Sequence, residues 1–449
     1  MRAVALTLLL LLAGCSKLLP PKDRVIALEG ATLIDGAGGV PKPDVVIIIR
    51  NGHIETIARV NEVPIPKSAE RVNLVGKTII PGLIDAHAHV ERWAVGRYVA
   101  WGVTTVRDLH GGTDTVLTLK NDLNLGSILG PRMFSAGSMI DGVPTTYPNA
   151  TGVVTPDQAR RAVDQHAVAG VDYLKVYTKI TPSLLRPLLD EAVKLRLPVA
   201  AHLGKTDALT AARAGVVSIE HMSGVVQAAT GDPSYANAHN SFLIGWTTEE
   251  KGWAGLDSNA VARTARALAQ TKVAIVPTLV VHDMLSRLDN PILLMRPGME
   301  DVPENAQSVR SVASLLRRTG WRSGDFAAFR RSRRRQDQFV REYKRAGGAI
   351  AAGSDAANQL LIPGYSLHEE LALLVAAGLT PLEAITAATR RGAQLLQADS
   401  LGMLAPGKVA DLVVLNGNPS GNILATRNIA MVMIRGRLIR PDSLRATWK

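Results

Sequence analysis

Eight short apolar runs alternate with helical stretches between residues 78 and 354, and this alternation is what most restricts the fold. The runs are Thr78–His87, Val103–Asp108, Arg132–Ala136, Tyr173–Tyr177, Val199–His202, Ser218–His221, Val273–Thr278 and Ala349–Ser354. Helical patterns separate most of them, at Pro156–Ala169, Pro182–Leu195 and Thr206–Ala214 among others. Thr155 followed by Pro156 is a strong helix start, because the hydroxyl caps a free backbone N–H and proline needs no intrahelical donor. Strand and helix in strict alternation call for a parallel sheet covered by helices, and eight repeats suit a (β/α)8 TIM barrel. An open doubly wound sheet is the competing α/β architecture, but no Gly-x-Gly-x-x-Gly fingerprint follows a strand. Aromatic residues make up only 4 % of the chain, so an aliphatic core of Ala, Val, Leu and Ile is expected.

The two ends have a different texture. Val25–Leu33 and Val45–Ile49 read as strands, and Asn51-Gly52 is a hairpin turn into His53–Val60. Near the C-terminus Ala410–Leu415 reads as a strand, and Ile429–Ile434 with Arg437–Ile439 as a hairpin about Arg435-Gly436. Residues 24–78 and 404–449 are therefore expected to form one small β-sandwich domain, with the barrel over 79–403.

The first apolar run ends in His87-Ala88-His89. Residues i and i+2 of a strand face the same side, so both imidazoles can reach one metal ion. Alone the pair is a weak signal. Its weight comes from Lys175, His202, His221 and Asp355, each at or just past the end of a later run. In a parallel barrel that rim carries the active site. Lys175 lies inside an apolar run, where an unpaired charge is costly. Cys15 is the single cysteine, so thiolate ligation is excluded from the barrel and any ligands are nitrogen and oxygen, a set that suits zinc without excluding manganese, cobalt or iron.

The order His-x-His, Lys, His, His, Asp resembles the amidohydrolase superfamily of metal-dependent hydrolases. Pro81-Gly82-Leu83-Ile84-Asp85-Ala86-His87-Ala88-His89, Ala200-Ala201-His202, Ser218-Ile219-Glu220-His221, Gly353-Ser354-Asp355 and the run Gly402–Val413 carry the likeness. The resemblance implies that His87, His89 and Asp355 bind one divalent metal ion and His202 and His221 a second. It implies that Lys175 is N6-carboxylated and bridges the two, and that Asp355 shuttles a proton from a metal-bridged hydroxide to the leaving amine. The runs Leu174-Lys175-Val176-Tyr177, Ala201-His202-Leu203-Gly204 and Val276-Pro277-Thr278-Leu279 are most similar to the imidazolonepropionase-like and Xaa-Pro or Xaa-Arg/Lys dipeptidase branch. That branch implies hydrolysis of amide bonds in dipeptides or N-acyl amino acids. The alternative is a mononuclear deaminase or cyclic-amide hydrolase with an unmodified lysine.

Further residues are candidate substrate contacts. Tyr177 follows Lys175 by two and shares its side of the strand; His110 follows the second run and His282 the seventh. His368 is a candidate for a supporting role, whereas His53, His166 and His239 read as incidental. Residues 225–270 form a long link holding Tyr235, Phe242, Trp246 and Trp253, read either as a lid or as extra helices on the rim.

Arg2, the apolar run Ala3–Leu12 and Leu12-Ala13-Gly14-Cys15 resemble a bacterial lipoprotein signal over residues 1–15. The resemblance implies a lipid on Cys15 and a place on the cell envelope, at the outer membrane or its periplasmic face. Net charge is +12, much of it between Arg317 and Arg345. This stretch reads as an exposed helix face, since no nucleic-acid motif accompanies it. The oligomeric state stays open.

Overall fold

The computed structural model describes residues 23–448. The expected signal segment, with Cys15, lies outside the described residues. No described helix is long and apolar enough to cross a membrane.

The barrel strands are β1 (Leu83–Ala88), β2 (Val103–Asp108), β3 (Arg132–Ser135), β4 (Leu174–Val176), β5 (Val199–Ala201), β6 (Ser218–Glu220), β7 (Ala274–Val276) and β8 (Ala349–Ile350). Neighbours pair in parallel from β1 to β3 and from β4 to β8. Two seams close the ring. Asp172 N–H donates to the Ser135 carbonyl (2.9 Å) and Tyr177 N–H to that of Ile140 (2.9 Å), joining β3 and its continuation to β4. Ala86 N–H donates to Ala352 (2.9 Å) and Asp355 N–H to His87 (2.7 Å), joining β8 to β1. The architecture is a (β/α)8 barrel with a small β domain.

Helix Pro156–Ala169 starts and stops as its sequence dictates. Thr155 and Gln158 form a reciprocal capping box, and Gly170 ends the helix at φ 85°. Its buried residues, Ala159, Ala162, Val163 and His166, lie three or four apart on one face.

One expected strand, Thr78–His87, is two. Thr78–Pro81 pairs antiparallel with Leu412–Leu415 and parallel with Val25–Leu33 in the terminal sheet, whereas β1 belongs to the barrel. The chain changes sheet at Gly82, where a Cβ would sit 2.2 Å from Thr104 Oγ1. A glycine is needed for that close approach. The terminal sheet has eight strands drawn from both ends of the chain, in the order Arg437–Ile439, Ile429–Ile434, Leu412–Leu415, Thr78–Pro81, Val25–Leu33, Lys42–Arg50, His53–Arg59, with Glu70–Asn73 paired to Val25–Leu33. Its core includes Ile26, Leu28, Ile47, Leu412, Val414 and Met433.

The 225–270 link consists of helices: Val225–Thr230, Ser234–Ala238, Phe242–Gly255 and Ser258–Gln270. Helix Phe242–Gly255 packs on the long basic helix Ser323–Arg345, which buries Phe326, Phe329, Phe339 and Tyr343 and exposes Arg330, Arg331 and Arg334. Trp253 is buried, edge-on to Phe339 at 5.7 Å.

Candidate metal centre

The ends of β1, β4, β5, β6 and β8 bring His87, His89, Lys175, His202, His221 and Asp355 around one cavity of about 1070 Å³. Three strand ends turn sharply there. His221, Thr278 and Asp355 follow β6, β7 and β8 with φ of 59°, 45° and 57°. Left-handed backbone at non-glycine residues is strained, and its clustering here is what a functional site produces.

Hydrogen bonds fix the histidine rings. His87 Nδ1 lies 2.7 Å from Glu220 Oε2, His89 Nδ1 3.2 Å from the His110 carbonyl, and His221 Nδ1 2.7 Å from Thr278 Oγ1. The Thr278 hydroxyl donates to the Pro277 carbonyl, so it accepts from His221. In each ring Nδ1 is thereby the donor, and Nε2 keeps its lone pair.

Behind His87 stands a buried ion pair. Arg107 Nη2 donates to Glu220 Oε1 at 2.8 Å, with both side chains fully buried. Arg107 also donates to the Ala86 carbonyl and to Ser218 Oγ, and Ser218 Oγ donates to Glu220 Oε1. Burial pushes the Glu220 carboxyl up, but Arg107, Lys175 and His87 together hold it well below the usual range. Glu220 is thus a permanent anion that orients His87.

At the front of the site histidine nitrogens converge on a carboxylate. His87 Nε2 and His89 Nε2 stand 3.3 and 3.0 Å from Asp355 Oδ1. Lone pairs facing a carboxylate oxygen repel unless a cation lies between them. His87, His221 and Asp355 place ligand atoms within 4.8 Å of one another. Burial disfavours charge on His89, yet Asp355 carries its pKa upward, which expresses the same demand for a cation. Burial likewise raises Asp355, but His221, His87 and His89 hold it well below a normal carboxyl. Among the described residues neither Asp355 Oδ1 nor Lys175 Nζ has a hydrogen-bond partner, and both atoms are buried. Burial lowers Lys175 to about 8. His202 lies between Tyr177 and His221, with ring centroids 4.8 and 4.6 Å away, and burial with Lys175 nearby drives it well below 6.5. Converging lone pairs and a carboxylate without a donor fit a bound divalent metal ion.

Tyr177 is buried on the cavity wall beside His202. His110 also lines the cavity, but both ring nitrogens serve the protein: Nδ1 accepts from Met139 N–H (3.1 Å) and Nε2 donates to Asn149 Oδ1 (3.0 Å). Burial lowers His110 to about 4. His282 also lines the cavity; it meets Glu250 Oε2 at 2.7 Å and the His221 carbonyl at 3.1 Å, so both ring nitrogens serve the protein and it braces His221. His368 lies elsewhere, bonded to Thr426 and the Trp101 carbonyl. His53 is exposed, while His166 and His239 are buried and absent from the cavity lining.

Sequence reasoning named no role for Arg107, Glu220 or Thr278. The argument applied to Lys175, a charge inside an apolar run, holds equally for Arg107 and Glu220. Thr278 carries no such signal. Nor does Tyr147, whereas Phe242 and Trp246, which also wall the cavity, belong to the aromatic-rich 225–270 link that the sequence singled out as a rim element.

Residues 78–439 match the model of the Amidohydrolase family. No curated protein sequence matches the chain. Among solved structures, a protein of Bifidobacterium longum provisionally described as a prolidase is 26 % identical, covers 95 % of this chain and 99 % of its own, and has a TM-score of 0.70. A Xaa-Pro dipeptidase with methionine bound in its active site is 21 % identical over 93 % of this chain and 100 % of its own, with a TM-score of 0.69. A prolidase complexed with N-methylphosphonate-L-proline is 21 % identical over 93 % and 99 %, with a TM-score of 0.68. With the family model spanning most of the chain and its barrel rim carrying a His-His-Asp cluster, this protein belongs to the amidohydrolase family and is a hydrolase acting on carbon–nitrogen bonds.

Proposed function

We propose that the protein hydrolyses amide bonds of small peptide-like substrates, dipeptides or N-acyl amino acids, at a centre of two divalent metal ions, zinc by ligand type. The observation that carries this reading is the pair of orphaned buried atoms, Lys175 Nζ and Asp355 Oδ1, amid histidines whose Nε2 lone pairs face inward. His87, His89 and Asp355 would hold one ion, His202 and His221 the other, and Lys175 both. A lysine held near 8 by burial keeps a neutral fraction at neutral pH. That amine can add to carbon dioxide and release a proton, leaving a carbamate anion where a free ammonium could not ligate. When bound, the ions would lower the pKa of water and polarise the scissile carbonyl.

The protein's own groups do the rest. Asp355 is ionised, lacks a donor to Oδ1 and faces the cavity, so it can take a proton from the attacking water and pass it to the leaving amine. Glu220 and Thr278 keep the ligand rings in the correct tautomer. The Tyr177 phenol, beside His202, can donate to the developing oxyanion.

Metal analysis with a hydrolysis screen tests the reading. Two ions per chain in the wild type, a loss in Lys175→Ala, and turnover of dipeptides or N-acyl amino acids are expected. One ion with an unmodified Lys175 would move the assignment to a deaminase or cyclic-amide hydrolase. We further propose that a lipid on Cys15 anchors the protein at the cell envelope, supported by Leu12-Ala13-Gly14-Cys15. Cys15→Ser should then shift it from the detergent phase to the aqueous phase.

A further inference from the structure

From the centre, one wall of the cavity is a chain of aromatic rings. Tyr177 lies 5.8 Å from Tyr147, Tyr147 6.3 Å from Phe242, and Phe242 stacks on Trp246 at 5.5 Å and 21°. Trp246 meets Trp321 edge-on at 5.7 Å. Trp321 follows the helix Val312–Thr319, whose Leu315 and Arg318 line the same cavity one turn apart.

Arg318 is the residue of the basic stretch that lines the cavity, and several of its basic neighbours are already engaged. Arg310 donates to the Val302 carbonyl, Arg330 is held by Asp289, and Arg333 by Asp337. Arg92, the other guanidinium on the cavity, is paired with Asp122. Arg318 has neither a hydrogen-bond nor an ion-pair partner among the described residues. Its charge bears on Tyr147, in the middle of the aromatic wall. Apart from Asp355 in the ligand set, the acidic side chains on the cavity are Glu91 and Asp114, in the segments following β1 and β2, and Glu91 is engaged by Trp93 Nε1.

We propose that this end of the cavity is an anion subsite in which Arg318 receives a substrate carboxylate. The aromatic wall beside it takes an apolar side chain on the same substrate half. The substrate class is then an amide of a bulky apolar α-amino acid whose carboxylate is free. A fixed apolar wall and an unpaired guanidinium together recognise that pairing, because the guanidinium donates two parallel bonds to a carboxylate and gains little from a neutral carboxamide. The cavity volume, about 1070 Å³, leaves room for a large side chain beyond the ligand set.

The proposal rests on the amide-hydrolase reading, and the test separates the two. N-acetyl-L-phenylalanine and its carboxamide are compared as substrates, and again as ligands by quenching of Trp246 and Trp321 fluorescence. The wild type should prefer the acid by about ten- to hundredfold in kcat/KM, mostly through KM, the span of a hydrogen bond to a charged group. In Arg318→Met that preference should collapse toward unity, and Arg318→Lys should retain part of it. An acid-to-carboxamide ratio that Arg318→Met leaves unchanged, in turnover and in binding, overturns the subsite. Acid-selective binding that Arg318→Met abolishes, with turnover of neither compound, upholds the subsite and counts against the hydrolytic reading.

Discussion

At the floor of the cavity His87, His89 and His221 each have one ring nitrogen fixed by a carboxylate, a carbonyl or a hydroxyl, and Arg107 locks Glu220 in turn. At the roof, Phe242 and Trp246 are placed by ring stacking and by helix packing on Ser323–Arg345, with few polar bonds. Hydrogen bonds define direction to within a few tenths of an ångström, whereas apolar packing defines shape and volume. The floor is built to hold charge in one geometry. The roof is built to accept a shape, and it can change side chains without disturbing the chemistry below.

Substitutions at the two places should therefore fail differently. The largest effect is expected at the floor: Asp355→Asn should lose turnover by about a thousandfold, within the usual share of one general base, while the protein stays folded. Near-wild-type kcat would remove Asp355 from proton transfer. Next, Glu220→Gln leaves Arg107 without its anion and should cost about 3 kcal/mol in denaturant unfolding. Metal affinity should weaken by about ten- to a hundredfold, the usual penalty for losing an orienting partner; unaltered metal affinity would show that His87 needs no such anion. A smaller change is expected at the roof. Phe242→Ala should raise KM by about tenfold with kcat nearly kept, since losing a packed ring removes binding common to ground and transition states. A fall in kcat at constant KM would erase the distinction between floor and roof.

The smallest effect concerns the seam between them. Glu370 is buried and accepts from Val280 N–H at 2.8 Å, at the start of helix Leu279–Arg287 just after Thr278. Burial raises its carboxyl to about 8 from 4.5, against the pull of the Val280 and Leu279 N–H groups. The folded state thus holds a proton that the unfolded chain releases. This contribution is complete below about pH 4.5 and is lost as the pH rises through 8. Glu370→Gln should flatten that decline, with Tm at pH 9 higher than wild type by about a few degrees. A wild-type-like slope in the variant would place the titration elsewhere.

Much of the floor was legible beforehand. His87 and His89 share one side of a strand because strand side chains alternate, and Lys175, His202, His221 and Asp355 each close an apolar run that a barrel turns toward one rim. The break at Gly82 was not legible as a change of sheet, because Thr78–Pro81 and β1 are both apolar and nothing local says which neighbours they pair with. The 225–270 link could be read as lid or helices; its four helices are decided by the packing of Trp253 and Phe339, residues far apart in the chain.

The sequence by itself determined the (β/α)8 class and the six polar residues at the rim, since periodicity and strand-end position are local properties. Tertiary structure alone decided which ring nitrogen each histidine presents, that Arg107 and Glu220 stand behind His87, and that Arg318 overlooks the same cavity. Those depend on atoms from 21 positions apart, as His89 and the His110 carbonyl, to well over two hundred meeting within a few ångströms, such as Asp355 Oδ1 on His89 Nε2. No local pattern encodes a distance of that kind; only chain closure and close packing do.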